Sequence, residues 1–157
     1  MRIKLLVIGK TNDKNLGQLI EKYQQRLNHY INFEIEIIPD IKNVKNLNQV
    51  QQKEKEGELI LSKISPTDLV MLLDETGKQF SSIDFSKQIN NWQNQSVGAV
   101  VFIVGGPYGF DQKIKARANG EISLSKMTFS HQMVRLFFVE QIYRAFSILK
   151  GEPYHHA

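Results

Sequence analysis

Short apolar runs alternate with amphipathic stretches along the whole chain. The runs are rich in β-branched residues and predict strands at 2–8, 33–37, 68–73, 99–104 and 121–124. The amphipathic stretches repeat apolar residues at helical spacing and predict helices at 16–27, 48–64, 81–95, 111–118 and 130–150. Strands that alternate with helices predict one α/β domain over 1–157, with a mainly parallel sheet flanked by helices.

Three of these stretches carry further information. Residues 33–37 alternate apolar and polar side chains strictly, which predicts an edge strand or an incompletely covered face. Residues 52–58 are strongly charged, which predicts a solvated helix face. The final helix is apolar around most of its circumference and needs burial on two sides. We therefore expect a second copy of the chain to cover its outer side and form a two-fold homodimer.

Composition narrows the setting of this domain. The chain has a hydrophobic fraction of 41% and no run approaching the ~20 apolar residues that span a bilayer. Its first residues do not resemble a signal peptide, so we expect a cytoplasmic protein without a membrane segment. Cysteine is absent and the four histidines lack metal-binding spacing, so we expect no metal. The net charge of +4 favours a polyanionic partner.

Three predicted strand ends point to a ligand site. Gly105 and Gly106 follow the strand at 99–104, and the missing Cβ lets a ligand approach the backbone closely. Leu73 and the segment 124–129 follow two other strands, and all three ends of a parallel sheet meet at one edge. This predicts a pocket of backbone N–H and C=O groups with apolar walls, suited to a purine and a methionine-like chain.

The known phosphate-binding motifs do not fit this chain. The turn after the first strand lacks GxGxxG, and the residues around Gly77-Lys78 do not match GxxxxGK[ST]. A plain tight turn remains an alternative interpretation of 105–109.

The final helix carries few polar residues. Glu140 and Arg144 are four residues apart in the order that favours an ion pair, an interpretation that competes with substrate contact by Arg144. His131 near the start of this helix is expected to be structural. Candidates for phosphate contact elsewhere are Lys10, Lys14, Lys113, Lys115 and Arg117.

Four motifs together match a known family. They are Gly105-Gly106-Pro107-Tyr108-Gly109, the LSKMTFSH segment at 124–131, Tyr143-Arg144-Ala145 and Pro153-Tyr154-His155. In this combination and order, the chain resembles the ribosomal RNA large subunit methyltransferase H family of the SPOUT class. The resemblance spans essentially the whole chain. Ser130 stands where many members have proline, and His156 is an additional polar residue.

The resemblance implies a C-terminal trefoil knot, a homodimer and S-adenosylmethionine as cofactor. It implies methylation of N3 of a pseudouridine in large-subunit (23S) ribosomal RNA, with the assembled ribosome as substrate and partner. The cofactor residues that it implies are Leu73, Gly105, Leu124, Ser125, Lys126, Met127, Thr128 and Phe129.

Within the matched motifs, three residues are candidates for catalysis. Arg144 is interpreted as an electrostatic stabiliser, Tyr154 as a group that stacks on or hydrogen-bonds the nucleotide, and His155 as the proton acceptor. Two alternatives stay open. The first is a SPOUT methyltransferase that acts on transfer RNA, and the second is a non-catalytic, ribosome-associated nucleotide-binding protein.

Overall fold

The protein is built on a five-stranded parallel sheet. The computed structural model describes residues 1–42 and 44–156. Asn43, within the polar stretch before the second predicted helix, and Ala157, the end of the predicted domain, lie outside the described residues. The elements are β1 (Arg2–Ile8), α1 (Lys14–Leu27), β2 (Asn32–Ile38), a short 3-10 helix (Val44–Asn46), α2 (Gln49–Ser62), β3 (Leu69–Gln79), α3 (Ser82–Asn94), β4 (Ala99–Val104), α4 (Gln112–Arg117), β5 (Gly120–Ser123) and α5 (Met133–Leu149).

The strand order is β2-β1-β4-β3-β5, and every pairing between these strands is parallel. β4 lies in the middle of the sheet, and all six of its residues are buried, as its continuous apolar run requires. β2 lies at one edge, and of its seven residues only Phe33 and Ile38 are buried. The predicted α/β class and the edge position of the second strand are therefore confirmed.

Helices cover both faces of the sheet. Side chains of α1, α3 and α5 form one core with one face of the sheet, around Phe102, Phe138 and Ile142. Side chains of α2 and α4 form a second core on the opposite face, around Ile60 and Ile114. The α5 helix lies between α1 and α3, so it is the central helix of its layer. The predicted C-terminal knot stays a prediction.

Two element boundaries differ by three residues or more from the sequence-based expectation. The third strand was expected to end at residue 73 but continues to Gln79, because it shifts its register with β5 between Leu73 and Lys78. The last helix was expected from residue 130 but begins at Met133. The side chain of Gln132, its N-cap residue, bonds to the backbone of another segment instead of capping the helix.

The register shift brings β3 and β5 unusually close at Gly77. A Cβ placed there would lie 2.7 Å from the backbone nitrogen of Ile122, which cannot move without disturbing the sheet. We expect Gly77→Ala to lower the free energy of unfolding by about 2 kcal/mol, the typical cost of overpacking. Urea denaturation would measure this loss. Gly98→Ala is the matched control, because nothing lies within 4 Å of its Cβ position, and equal stability of the two variants would contradict the prediction.

Candidate cofactor cavity and C-terminal cluster

A cavity of about 580 Å³ lies at the edge of the sheet beyond β4 and β5. Its walls come from three parts of the chain that are distant in sequence. Leu73 contributes from β3 at the point where that strand leaves β4, and Gly105 and Gly106 follow directly after β4. The third part is residues 124–131 between β5 and α5, called here the cavity segment. The three strand ends grouped from the sequence thus line one cavity.

Most of the expected cofactor residues lie in this cavity. The lining includes Leu73, Gly105, Leu124, Ser125, Met127, Thr128 and Phe129. Lys126 belongs to the same segment, but its side chain is exposed and it does not line the cavity. The structure also adds residues that were not assigned to the cofactor in the sequence, among them Asp74, Tyr108, Ser130 and His131.

The cavity segment is held by hydrogen bonds to its own backbone and to β3. The hydroxyl of Thr128 donates to Oε2 of Glu75 at 2.7 Å. The hydroxyl of Ser125 accepts from the backbone N–H of Met127 at 3.0 Å. Ser123, at the end of β5, donates to the carbonyl of Ser125 at 2.8 Å. These contacts leave the side chains of Met127 and Phe129 exposed.

The glycine loop after β4 rests on a buried carboxylate. Glu56, on α2, is only 4% exposed, and a Cβ at Gly106 would lie 2.5 Å from its Oε2 atom. The amide of Gln52 donates to Oε1 of Glu56 at 3.1 Å. Burial raises the pKa of Glu56, although the hydrogen bond from Gln52 opposes this effect. The expectation of a solvated face at 52–58 is therefore wrong for Glu56.

The three candidate catalytic residues form a cluster around the second half of α5. Arg144 Nη2 donates to Oε1 of Glu140 at 2.5 Å, and Nη1 lies 3.2 Å from Nδ1 of His155. The guanidinium carbon lies 4.8 Å from the ring centre of Tyr154, a cation–π contact. The Tyr154 hydroxyl donates to Glu140 at 2.9 Å and lies 3.1 Å from the hydroxyl of Tyr23. The predicted ion pair between Glu140 and Arg144 is thus confirmed.

Charge within the C-terminal cluster is set by these contacts. The hydrogen bond to Glu140 raises the pKa of Arg144, so the guanidinium stays cationic at any physiological pH. Burial, together with the hydrogen bonds to Tyr23 and Glu140, raises the pKa of Tyr154, so its phenol stays protonated. Tyr154 can therefore donate a hydrogen bond but cannot serve as a base. Arg144 Nε is buried and has no hydrogen-bond partner among the described residues.

Within one protomer, the C-terminal cluster does not line the cavity. None of Arg144, Tyr154 and His155 is among the cavity-lining residues. The structure therefore brings the expected cofactor residues together in one place and the candidate catalytic residues in another. Across residues 1–42 and 44–156, no group of three or more histidine and acidic side chains could hold a metal ion. No helix in the same residues could span a membrane.

The chain matches a known protein family over nearly its whole length. A family model described as "Predicted SPOUT methyltransferase" matches residues 1–155. The chain belongs to this family of SPOUT methyltransferases. It is 63% identical to a protein of Flavobacterium psychrophilum that bears the name ribosomal RNA large subunit methyltransferase H, over 99% of both chains. Proteins of the same name from Flavobacterium johnsoniae and Christiangramia forsetii are each 62% identical, also over 99% of both chains.

Proposed function

We propose that this protein methylates N3 of a pseudouridine in 23S ribosomal RNA, with S-adenosylmethionine as cofactor and the assembled ribosome as substrate. The observation that carries this proposal is the cavity that three separate strand ends line with glycine backbone and apolar side chains. The name shared by relatives more than 60% identical over nearly full length supports the choice of substrate. A ribosomal substrate also places the protein in the cytoplasm.

The residues around the cavity fit such a cofactor. Gly105 and Gly106 line the cavity with backbone groups that can bind an adenosine, and Leu73 and Leu124 offer apolar walls. Asp74 and Glu75 line the same cavity, and their carboxylates favour a positively charged ligand. S-adenosylmethionine, when bound, supplies a methyl group from a positively charged sulfur. Residues 124–129 are proposed to hold it, with Lys126 contributing through its backbone.

The C-terminal cluster is proposed to act on the acceptor nucleotide. The acceptor nitrogen carries a proton that must leave, and the developing negative charge must be stabilised. Arg144 supplies a permanent cation that can stabilise a phosphate or the negative charge that develops on the base. Tyr154 offers its ring for stacking on the nucleotide, while its phenol donates to Glu140 and so orients the ring.

His155 is proposed as the proton acceptor, under a condition set by its contact with Arg144. An arginine can only donate, so its contact with Nδ1 requires an unprotonated Nδ1 and leaves the ring proton on Nε2. Nδ1 becomes available for the substrate proton when Arg144 turns toward the RNA. Binding of the RNA and activation of the base are thereby coupled in this proposal.

A second protomer is proposed to bring the two parts of the site together. Met133 and Phe137 on the outer side of α5 are 40% and 42% exposed, although both are large and apolar. Covering them with the same helix of a second copy forms a two-fold interface. The cluster around Arg144 lies on the same helix, so the partner's cluster can approach the cavity of this protomer.

The dimer has a direct test. We expect analytical ultracentrifugation at micromolar concentration to show a dimer, and Phe137→Asp to shift it toward monomer because a buried charge opposes the interface. Val50→Asp is the matched control, because Val50 is also an exposed apolar residue but lies on α2, on the opposite face of the sheet. A monomeric wild-type protein would contradict the dimer.

The basic residues proposed for phosphate contact divide into exposed lysines and one arginine that is hydrogen-bonded within the protein. Lys10 and Lys14 are exposed near the end of β1, and Lys113 and Lys115 are exposed on α4. Arg117 instead donates to the carbonyls of Ser65 and Asp68 at 3.0 Å each, so we assign it a structural role.

The function is tested by measuring methyl incorporation into assembled ribosomes, naked ribosomal RNA and transfer RNA. We expect incorporation into ribosomes, at a pseudouridine identified by mass spectrometry of the RNA. Incorporation into transfer RNA alone would replace the proposed substrate. Absence of S-adenosylmethionine binding in calorimetry would instead favour a non-catalytic, ribosome-associated protein.

A further inference from the structure

Arg135 is a charged residue buried inside the protein without an ionic partner, which by itself is energetically unfavourable. It is the largest fully buried side chain of the described residues, with 2% of its surface exposed. A charge removed from water without an ionic partner is costly, and burial lowers the pKa of Arg135 while Asp40 opposes that effect. Its position in the first turn of α5 also sets a cation against the positive end of the helix dipole. Residues that break several such rules are often retained for function.

The guanidinium of Arg135 joins the start of α5 to the end of β1. Nη2 donates to the carbonyl of Ile8 at 2.7 Å, and Nη1 donates to the carbonyl of Gly9 at 2.9 Å and the hydroxyl of Thr11 at 3.2 Å. Nε donates to the carbonyl of His131 at 3.1 Å. All four acceptors are neutral oxygens. The planar guanidinium group of Arg135, with its donors in a rigid arrangement, fixes the positions of these oxygens relative to one another.

Gln132 reinforces the same connection. Its Nε2 atom donates to the carbonyl of Lys10 at 3.1 Å, and its Oε1 atom accepts from the backbone N–H of Asn12 at 2.9 Å. The residue is the N-cap of α5, yet it makes no capping hydrogen bond. Glutamine is not among the usual N-cap residues, and the hydroxyl of Ser130 already accepts from the backbone N–H of Met133 at 3.0 Å. The side chain of Gln132 is therefore available to hold the turn at 9–12.

The anchored carbonyl belongs to the cavity segment. Ser130 and His131, at the end of that segment, line the cavity. The side chains that hold the segment nearer its start, Ser125 and Thr128, make one local bond and one bond to an exposed carboxylate. The end of β1 is firmer, because Gly9 continues the sheet through a 2.7 Å hydrogen bond to the carbonyl of Ile38. Ser130 is also held to the start of α5, because its hydroxyl accepts from the backbone N–H of Met133 and its carbonyl accepts from that of Val134, both at 3.0 Å. Arg135 thus ties this wall of the cavity, together with the start of α5, to the sheet.

We propose that Arg135 is a positioning residue for the cofactor, which holds the wall formed by Ser130 and His131 at the distance that the cofactor requires. Arg135 does not line the cavity and acts through the carbonyl of His131. The inference rests on the proposed function, because it assumes that the cavity binds S-adenosylmethionine or its demethylated product.

The test uses Arg135→Lys, which keeps the positive charge but replaces the planar guanidinium group, with its several donors, by a single ammonium group. We expect the Kd for S-adenosylhomocysteine, measured by calorimetry, to rise by about tenfold or more, which corresponds to about 1.4 kcal/mol. In methylation assays, the KM for S-adenosylmethionine should rise while kcat at saturating cofactor stays near that of the wild type. Hydrogen exchange should become faster in residues 124–131 but not in β4.

A control separates positioning from general destabilisation. Ile60→Val removes one methylene from the core on the opposite face of the sheet, so it lowers stability without touching the cavity. It should leave the Kd for S-adenosylhomocysteine unchanged. If Arg135→Lys does not fold, Gln132→Ala tests the same connection at a half-exposed side chain and should also weaken binding. An unchanged Kd in the folded variant overturns the inference, whereas a wild-type protein that fails to bind overturns the proposed function itself.

Discussion

Arg144→Met is expected to lower the rate of methylation by about 10²- to 10³-fold, the usual cost of removing one preorganised electrostatic group. The Kd for S-adenosylhomocysteine should stay close to that of the wild type, because Arg144 does not line the cavity of its own protomer. Methionine keeps much of the apolar volume that packs on Tyr154. Single-turnover methylation of ribosomes and calorimetry measure the two quantities separately.

Two further variants show whether the charge itself matters. Arg26→Met is the matched control, because Arg26 also stacks on the neighbouring aromatic rings of Tyr23 and Tyr143 but is exposed. It should retain nearly full activity. Glu140→Gln removes the ion pair and keeps the guanidinium, so its loss of rate should be much smaller than that of Arg144→Met. Equal losses of rate in Glu140→Gln and Arg144→Met would mean that Arg144 is needed for the ion pair with Glu140 and not for contact with the RNA.

Gly106→Ala is expected to raise the Kd for S-adenosylhomocysteine by about tenfold or more, the equivalent of about 1.4 kcal/mol. The added Cβ would lie 2.5 Å from Oε2 of Glu56, which is buried on α2, so either the carboxylate or the glycine loop must shift. We expect the loop to shift, because the carboxylate is also held by the hydrogen bond from Gln52. The glycine loop must then move toward the cavity and narrow it. Calorimetry gives the Kd, and thermal unfolding shows whether the fold is retained.

The same clash can be relieved by a second substitution. In Gly106→Ala with Glu56→Ala, the carboxylate is gone and the loop can return to its position. The double variant should therefore bind S-adenosylhomocysteine more tightly than Gly106→Ala alone. Glu56→Ala alone is needed as the reference for this double-mutant cycle. A double variant that binds no better than the single variant would show that Glu56 does not set the position of the loop.

Much of the fold followed from hydrophobic pattern. The apolar run at 99–104 predicted a strand, and the strict alternation at 33–37 predicted an edge strand or an incompletely covered face. The structure shows β2 at the edge of the sheet. The cavity could be predicted from the sequence because the carboxyl ends of parallel strands meet at one edge of the sheet. This rule groups Leu73, Gly105 and Leu124, which all line the cavity.

Other features depend on tertiary contacts that no local pattern records. Glu56 belongs to a charged stretch, and only the approach of Gly106 makes its burial necessary. The extension of β3 to Gln79 depends on a close approach to β5 at Gly77. The partners of Arg135, the carbonyls of Ile8 and Gly9, lie near the other end of the chain, so the local sequence around Arg135 does not reveal them.

The order of the strands also constrains how the chain acquires its structure. β1 is the second strand of the sheet, but its inner neighbour is β4, with Arg2 paired to Ala99. Such distant pairings are entropically expensive to close and make folding slow. During translation, the inner edge of β1 must stay unpaired until β4 has left the exit tunnel. Early folding intermediates will therefore expose an apolar strand edge, and chaperone dependence is a natural consequence for this topology.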